Sequence, residues 1–235
     1  MRAIILAGGK GTRLRPYTAT LPKPLVPVGD RSILDIVLLQ LKRAGVTHVT
    51  MAVNHLAHLI MAYFGDGSRI GLDINYSLED KPLSTIAPLK LIKDLPETFF
   101  VMNGDVLTDL PFGDLYKYHV DHDADITVAT YDRDTKIDFG VLNVKDDLIV
   151  GFQEKPVYHF SVSMGVYVLS RRLLDIVPDD TPFGFDDLMI ECIKSNRKAL
   201  SYAHRGYWLD IGRQSDYAEA NEHADELLKK LLPDL

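Results

Sequence analysis

Residues 1–24 read MRAIILAGGKGTRLRPYTATLPKP, and this stretch predicts both the fold class and the position of a site. Residues 3–6 are an unbroken apolar run, which is typical of a central parallel strand covered on both faces. Gly8-Gly9-Lys10-Gly11 follows directly, and glycines let backbone N–H groups approach an anion closely. Residues 1–29 hold five Lys or Arg and no acid, although the whole chain carries net charge −7. The stretch therefore predicts a strand followed by a loop that binds a phosphate chain.

Strand and helix patterns alternate through the first 110 residues, as expected of a parallel α/β sheet. Predicted strands cover residues 3–6, 49–53, 72–76 and 99–102, and predicted helices cover 32–44, 56–64 and 86–92.

The pattern changes after residue 110, where strands with short polar connections predict a mixed or antiparallel extension. These strands cover 126–130, 141–144, 148–152 and 165–169, and helices are predicted over 185–194 and 215–232. The sequence contains no internal repeat and no linker. We therefore expect an α/β fold in one domain over residues 1–235, with a Rossmann-like, mainly parallel mixed sheet flanked by helices.

Composition narrows the classes of partner. The acidic balance argues against a broad surface for nucleic acid or for an anionic membrane. No apolar run approaches the roughly 20 residues of a membrane span, and the N-terminal run is too short for a signal peptide. Cys192 is the only cysteine, which fits a reducing compartment. We expect a cytoplasmic protein that binds neither nucleic acid nor membrane.

Two isolated aspartates are candidate metal ligands. Asp105 follows the strand at 99–102, and ligands in open α/β sheets bind beyond the carboxyl ends of strands. Asp105 should therefore share a crevice with the glycine-rich loop, where a cation such as Mg²⁺ would offset its repulsion of phosphate. Asp210, in Trp208-Leu209-Asp210-Ile211-Gly212, could complete the same site. The alternatives are a turn-forming Asn-Gly-Asp for Asp105 and a helix cap for Asp210.

Glu154 and Lys155 end another predicted strand. Neighbouring side chains diverge at a strand end, so Glu154 could accept hydrogen bonds from hydroxyls while Lys155 points at an anion. Such a pair would suit a sugar phosphate, and a solvated strand end is the alternative.

Several other kinds of site are disfavoured. Leu14 stands where a dinucleotide-binding fingerprint needs its third glycine, and no Walker A motif occurs. Two histidine pairs have helical spacing, but the acids and lysine around His119 favour a solvated helix end over a metal site.

Taken together, these motifs resemble those of the sugar nucleotidyltransferases, most closely the mannose-1-phosphate guanylyltransferase-like members. The family pattern G-G-x-G-T-R-L-x-P is present at residues 8–16, and its K-P follows as Lys23-Pro24. The family's aspartate after the fourth strand, its E-K-P and its W-x-D-I-G match Asp105, residues 154–156 and residues 208–212. The four motifs occur in order over nearly the whole chain.

The resemblance implies an enzyme that converts an NTP and a sugar 1-phosphate into an NDP-sugar and pyrophosphate. It implies a nucleotide-binding half (residues 1–110), a sugar-phosphate-binding half (111–235) and no general base. Arg13, Lys23 and Lys155 would be catalytic, and Asp105 and Asp210 would bind Mg²⁺. The nucleotide-binding residues would be Leu6, Ala7, Gly8, Gly9, Gly11, Thr12, Arg13, Lys23, Glu79, Ser84 and Thr85. The sugar-phosphate-binding residues would be Asn103, Gly140, Glu154, Lys155 and Ser163.

Residues 79–87 bear on the choice of base. They resemble an acidic stretch before P-L-G-T-A-G in guanylyltransferase-like members, with Ser84 in place of the first glycine. Our first expectation is GTP with mannose or heptose 1-phosphate, and the second is UTP with a hexose or amino-sugar phosphate. Ser163-Met164-Gly165, where many relatives have Asn-Ala-Gly, favours a less usual sugar.

Other architectures and classes stay open as alternatives. We expect no left-handed β-helix domain of the kind that longer relatives carry. A glycosyltransferase on a similar fold would need an Asp-x-Asp, which residues 105–107 lack. A non-catalytic nucleotide-sugar sensor is a remote alternative, and the assembly could be a monomer or a homodimer.

Overall fold

The computed structural model describes residues 1–233, which form thirteen strands and six α-helices. The first half holds β1 (Arg2–Leu6), β2 (Pro27–Val28), β3 (Arg31–Ser32), α1 (Ile33–Arg43), β4 (His48–Val53), α2 (Ala57–Phe64), β5 (Asp73–Leu78), β6 (Thr98–Asn103) and β7 (Val106–Thr108). The second half holds α3 (Phe112–Asp121), β8 (Ile126–Lys136), β9 (Gly140–Lys145), β10 (Leu148–Glu154), β11 (Val157–Ser170), α4 (Phe185–Lys194), β12 (Ala199–His204), β13 (Trp208–Asp210), α5 (Gln214–Glu222) and α6 (Ala224–Leu231).

Seven of these strands form one mixed sheet in the order β12-β8-β11-β6-β1-β4-β5. β1 pairs in parallel with β4 and β6, and β5 continues the parallel part beyond β4. β11 runs antiparallel to both β6 and β8, and β12 returns parallel to β8. The predicted parallel first half and the predicted mixed extension are both confirmed.

The sheet is covered on both faces, as the apolar run in β1 predicts. Ile5 belongs to one fully buried cluster beneath α1, α2 and α3, whereas Ile4 packs in another beneath residues 86–95 and α4. Successive side chains of a strand point to opposite faces, so a strand buried on both sides needs apolar residues at every position. This burial fixes where β1 ends and the glycine-rich loop begins.

A third apolar cluster holds the loop against the other half of the chain. Leu14 is fully buried beside Leu107 and Ile211, and the apolar side of α6 closes the cluster. Leu107 lies in β7 and Ile211 follows β13, and these two short strands pair antiparallel. The cluster therefore fixes the glycine-rich loop relative to the elements that carry Asp105 and Asp210.

Several elements differ from the sequence-based expectations. Residues 87–91 form a short 3-10 helix in place of the helix predicted over 86–92, with Pro88 in its first turn, where a missing N–H donor is tolerated. The helix predicted over 215–232 is two helices, α5 and α6, that meet at His223 in a non-helical conformation. α3, β12 and β13 were not predicted. His119, expected at a solvated helix end, is buried in α3 and bonded to Thr127 and Ser170.

No helix formed by residues 1–233 is long and apolar enough to cross a membrane.

Candidate active site

The carboxyl ends of β1, β4 and β6 meet at one edge of the sheet because their registers align. Leu6 lies opposite Ala52 on one side and opposite Asn103 on the other. The residues that follow these strands therefore surround a common space. That space is a cleft of about 440 Å³, within the usual range for a small-molecule site.

This cleft gathers most of the expected nucleotide-binding residues. Its lining includes Leu6, Ala7, Gly8, Gly9, Lys23, Glu79, Ser84 and Thr85, together with Asn103 and Asp105. Gly11, Thr12 and Arg13 lie outside its lining. Asn54, which was not predicted, lines the cleft directly after β4, where the rule for strand ends could have found it.

Gly11 is required by the shape of the loop. Its φ of 60° lies in the left-handed region, and a Cβ there would come within 3.0 Å of Thr18 Cγ2 and 3.2 Å of Lys23 Cβ. Thr18 donates a hydrogen bond of 2.6 Å to the Gly11 carbonyl, which locks this turn. The turn leads into the single 3-10 turn Thr12–Leu14, and buried Leu14 anchors it. Backbone geometry thus sets the positions of Arg13 and Lys23.

Lys23 joins the two aspartates on which the metal hypothesis rests. Its Nζ contacts Asp105 Oδ2 and lies 3.9 Å from Asp210 Oδ1. The other oxygen of Asp105, Oδ1, is buried and has no hydrogen-bond partner among residues 1–233. Asp210 lies in β13, and its neighbour Ile211 donates a backbone hydrogen bond to the Asp105 carbonyl. The two carboxylates therefore lie together, as predicted.

The electrostatics of the pair favour a further cation. Burial and the neighbouring Asp105 carboxylate raise the pKa of Asp210, while Lys23 and Arg13 act in the opposite direction. Two carboxylates share one lysine, and a buried Asp105 oxygen lacks a donor. Hard oxygen ligands of this kind suit Mg²⁺. No group of three or more His, Cys, Asp or Glu side chains within residues 1–233 forms a complete protein-only metal site.

The capping role considered for Asp210 is wrong. Asp216 accepts hydrogen bonds from the backbone N–H groups of Gly212 and Arg213 and so caps α5. Asp210 is therefore free to face the site. Asp105 does lie in the turn between β6 and β7, so its turn-forming role and its contact with Lys23 coexist.

A second cavity lies on the Asp210 side of this carboxylate pair. It has about 490 Å³ and is lined by Arg13, Tyr131, Arg133, Trp208, Leu209, Asp210, Gly212, Arg213, Asp216 and Glu219. Asp105 lines the first cleft and Asp210 the second, and Lys23 contacts both. Lys23 thus stands between two cavities, an arrangement suited to two anions that must be brought together.

The expected sugar-phosphate-binding residues fall into two groups. Asn103 lines the first cleft. Ser163 lies near Asn103, because the Ser163 Oγ accepts a hydrogen bond from the Gly165 amide and Gly165 packs against the Asn103 side chain. Tyr167 bonds Ser163 at 3.3 Å, and its pKa is raised by burial and by the nearby Asp105 carboxylate.

Gly140, Glu154 and Lys155 form the other group, on the β9–β10 hairpin. Glu154 lies opposite Gly140, and both charged side chains at the base of the hairpin are exposed. We expected Glu154 and Lys155 to diverge, and this is wrong. Lys155 has a φ of 45°, and its Nζ lies 4.0 Å from Glu154 Oε1. The left-handed backbone at Lys155 brings the charged ends of Glu154 and Lys155 together. In this conformation neither side chain lines either cavity.

The segment expected to meet the base is held in place by the second half of the chain. The amides of Ile86 and Ala87 donate to the Phe183 carbonyl, and the Phe185 amide donates to Thr85 Oγ1 at 3.0 Å. Glu79 Oε2 accepts from the Leu83 amide at 3.1 Å, and burial raises the pKa of the Glu79 carboxyl. Glu79 is thus a partly desolvated acceptor in the wall of the cleft.

Comparison with known proteins agrees with this geometry. The nucleotidyl transferase family model matches residues 2–226. A probable mannose-1-phosphate guanylyltransferase 1 of Oryza sativa subsp. japonica is 33% identical over 98% of this chain, and a mannose-1-phosphate guanyltransferase of Schizosaccharomyces pombe is 34% identical over 92%. The matches cover 66% and 62% of those two relatives, so the chain spans somewhat less than two thirds of their length.

Two solved structures share the fold. A putative glucose-1-phosphate thymidylyltransferase from Bacillus anthracis, in complex with a sucrose, has a TM-score of 0.74 at 24% identity and covers 95% of both chains. HddC from Yersinia pseudotuberculosis, complexed with GMP-PN, has a TM-score of 0.73 at 24% identity and covers 94% of this chain and 98% of its own. With the family model matching nearly the whole sequence, the chain belongs to the nucleotidyl transferase family.

Proposed function

We propose that this chain transfers a nucleotidyl group from an NTP to a sugar 1-phosphate and releases pyrophosphate. The observation that carries the proposal is Lys23, which contacts Asp105 in the lining of one cavity and approaches Asp210 in the lining of another, next to a glycine-rich loop. A phosphate oxygen of the sugar 1-phosphate forms a new bond to the α-phosphorus. The bond from that phosphorus to the bridging oxygen of the β-phosphate breaks, and pyrophosphate leaves with the electron pair.

The chain's own residues position two anions for this displacement. Backbone N–H groups of the loop and the Arg13 guanidinium hold the triphosphate, and Lys23 stabilises charge on the α-phosphate. Glu154 accepts hydrogen bonds from sugar hydroxyls, Lys155 binds the sugar phosphate, and Gly140, Asn103 and Ser163 complete that side. No general base is needed, since a phosphate with a second pKa near 6 is already ionised at neutral pH. Catalysis then comes from positioning and electrostatics.

The residues present fit a magnesium ion held by Asp105 and Asp210. The buried, unpartnered Asp105 Oδ1 and the raised pKa of Asp210 both point to a cation-binding role. When bound, Mg²⁺ would supply positive charge that offsets the negative charge of the phosphates. Because the reaction consumes an NTP, we assign the protein to the cytoplasm.

We propose GTP as the nucleotide, with mannose or heptose 1-phosphate as acceptor. The named guanylyltransferase relatives support this choice, and so does Glu79. Guanine presents two adjacent donors, N1–H and the N2 amino group, which a carboxylate can accept together. Uracil presents a single N3–H between two carbonyl oxygens, which a carboxylate repels. UTP with a hexose or amino-sugar 1-phosphate is the second candidate, because Ser84 departs from the glycine of guanylyltransferase-like members.

A pyrophosphate-release assay with four NTPs, Mg²⁺ and a panel of sugar 1-phosphates tests the proposal. We expect turnover with GTP. The substitution Glu79→Gln should reduce the preference for GTP over UTP, measured as the ratio of the two kcat/KM values, by about 10-fold or more. The reason is that one good polar contact to a base is worth about 1–3 kcal/mol. Asp80→Asn, at the exposed neighbouring position, is the matched control and should leave the ratio unchanged. Nucleotide binding without pyrophosphate release from any pair would favour the sensor alternative.

A further inference from the structure

The hairpin arm, formed by β9 and β10 (residues 140–154), exposes one apolar face. Leu142 pairs with Phe152 and Val144 with Ile149, so these four residues share a face of the two-stranded sheet. We call this set the arm face. Each of its side chains is 50–65% exposed, and Phe139 at its base is 77% exposed. Nothing within residues 1–233 covers the arm face.

The arm stands apart from the main sheet. β9 and β10 pair only with each other among the described strands, so both outer edges of the hairpin are open. A solitary two-stranded hairpin is marginally stable in water, and it needs packing against another element. The exposed apolar face therefore requires an explanation that the monomer does not supply.

The size and charge of the face fit a second copy of this chain. Side chains of this kind at these exposures present roughly 100 Å² each, so the four residues of the arm face offer on the order of 400 Å² of apolar surface. A standard interface takes about 800 Å² per partner, of which about 60% is apolar. The four side chains of the arm face carry no charge, and Glu154 lies on the same side only at the base of the hairpin, so two copies that meet on the arm face bring no like charges into direct contact there.

The same strands carry residues of the proposed sugar-phosphate site. Gly140 and Glu154 face each other at the base of the hairpin, two positions from Leu142 and Phe152 and on the same side. A Cβ on Gly140 would come within 2.6 Å of the Phe152 ring and 3.4 Å of Glu154 Oε2. Packing on the arm face therefore acts directly on the ring that supports these two residues, and through Glu154 on Lys155.

We propose that the arm face is the contact surface between two copies of this chain related by a twofold axis. The contact orders the base of the arm and so completes the sugar-phosphate side of the site. The dimer stands independently of the activity, whereas its effect on the site rests on the proposed function.

The decisive experiment compares the wild type with the double variant Val144→Glu/Ile149→Glu in light-scattering mass measurements after gel filtration. Both positions are exposed, and neither is in the proposed substrate site. We expect the wild type at twice 26.4 kDa and the double variant at 26.4 kDa, with unchanged circular dichroism. Ile193→Glu, on α4 and 77% exposed, is the matched control and should remain dimeric. A monomeric wild type at about 100 µM, or a dimeric double variant, would overturn the inference.

Two further measurements separate the remaining outcomes. Amide exchange over residues 140–154 of the wild type should slow as protein concentration rises, and concentration-independent exchange would count against the dimer. The double variant should raise the KM for sugar 1-phosphate about 10-fold and leave that for the NTP unchanged. If the wild type is a dimer but no substrate pair reacts, the proposed function fails and the dimer stands. If the wild type is a monomer that floats with phosphatidylglycerol vesicles and the double variant does not float, the arm face is a membrane-binding surface and the dimer is ruled out.

Discussion

Asp210 combines a proposed metal-binding role with an unfavourable position in the metal-free protein. Its pKa is raised by burial and by Asp105, so the folded chain holds a proton there more tightly than the unfolded chain does. A carboxyl group with a higher pKa in the folded chain destabilises the fold once it ionises. The free energy of unfolding therefore falls as pH rises from the pKa of Asp in the unfolded chain through the raised pKa of Asp210, and this loss is complete at pH 7.

Asp210→Asn should therefore raise the Tm of the chelator-treated protein at pH 7. The rise should be no more than about 2 °C, because the side chain is 44% exposed and solvent screens the repulsion. The difference in Tm between Asp210→Asn and the wild type should vanish below pH 3, where Asp210 is protonated in both the folded and the unfolded chain. The same substitution should remove the Tm increase that Mg²⁺ gives the wild type. A lower Tm at pH 7 would mean that the contact with Lys23 outweighs burial and repulsion.

Ser84 occupies a backbone conformation that favours glycine. Its φ of 68° lies in the left-handed region, which costs an L-residue about 1–2 kcal/mol. Ser84→Gly relieves this strain but adds freedom to the unfolded chain, worth roughly 0.5–1 kcal/mol. We expect urea denaturation to show a net gain of about 0.5 kcal/mol. Ser68→Gly, at an exposed position without positive φ, is the control and should destabilise. A loss of stability in Ser84→Gly would mean that the Ser84 hydroxyl makes a compensating contact.

Among the residues of the cleft, the sequence predicted several that directly follow strands but missed Asn54, which does so as well. Gly8, Gly9 and Asp105 were found from their positions after β1 and β6, and they do line one cleft. Asn54 stands in the same relation to β4, but asparagine is a common loop residue, so only its position directly after the strand could have identified it. The 4.0 Å approach of Lys155 to Glu154 depends on a positive φ at a lysine, which residue type does not predict.

Among the elements, α3 depends on a buried histidine that connects it to the sheet. His119 is 1% exposed, and its ring nitrogens lie 2.9 Å from Thr127 Oγ1 on β8 and 3.1 Å from Ser170 Oγ on β11. Burial, aided by the Arg172 charge, lowers the pKa of His119 to about 4. The unfolded chain therefore binds more protons than the folded chain between pH 6.5 and about 4.

Wild-type stability should fall over that window as pH decreases, by up to about 3 kcal/mol from this residue. His119→Asn should lower stability at pH 7 but flatten its dependence on pH between 6.5 and 4. His122→Asn is the control, because His122 is exposed at the end of the same helix, and it should keep the wild-type slope. Urea titrations at several pH values measure both slopes, and equal slopes for all three proteins would contradict the assignment.

The elements that the sequence missed are those whose local pattern is weak. β13 has only three residues, and it forms because β7 pairs with it across the chain. α3 begins after Pro111 without a side-chain cap, and its buried residues include a histidine, which blurs the apolar spacing. Long-range pairing and packing, which local propensity does not encode, decide these cases.

In the whole molecule, the alternation of strands and helices predicted the parallel half of the sheet well. The order of strands in the second half could not be predicted, because β11 inserts between β6 and β8 over 14 residues and pairs with both. That insertion places Ser163 and Tyr167 beside the cleft and leaves the hairpin arm outside it. The division into a nucleotide half and a sugar-phosphate half stays a prediction.

We propose that the chain joins an NTP and a sugar 1-phosphate at the carboxylate pair bridged by Lys23. The most direct test is ³¹P NMR of the full chain with GTP, Mg²⁺ and mannose or heptose 1-phosphate. We predict the growth of pyrophosphate and of the two coupled diphosphate resonances of an NDP-sugar at equal rates. Lys155→Ala should slow both by about 100-fold at low sugar phosphate, whereas Lys145→Ala on the same hairpin should not. Release of phosphate or pyrophosphate without an NDP-sugar, or no change with any NTP and sugar 1-phosphate, would contradict the claim.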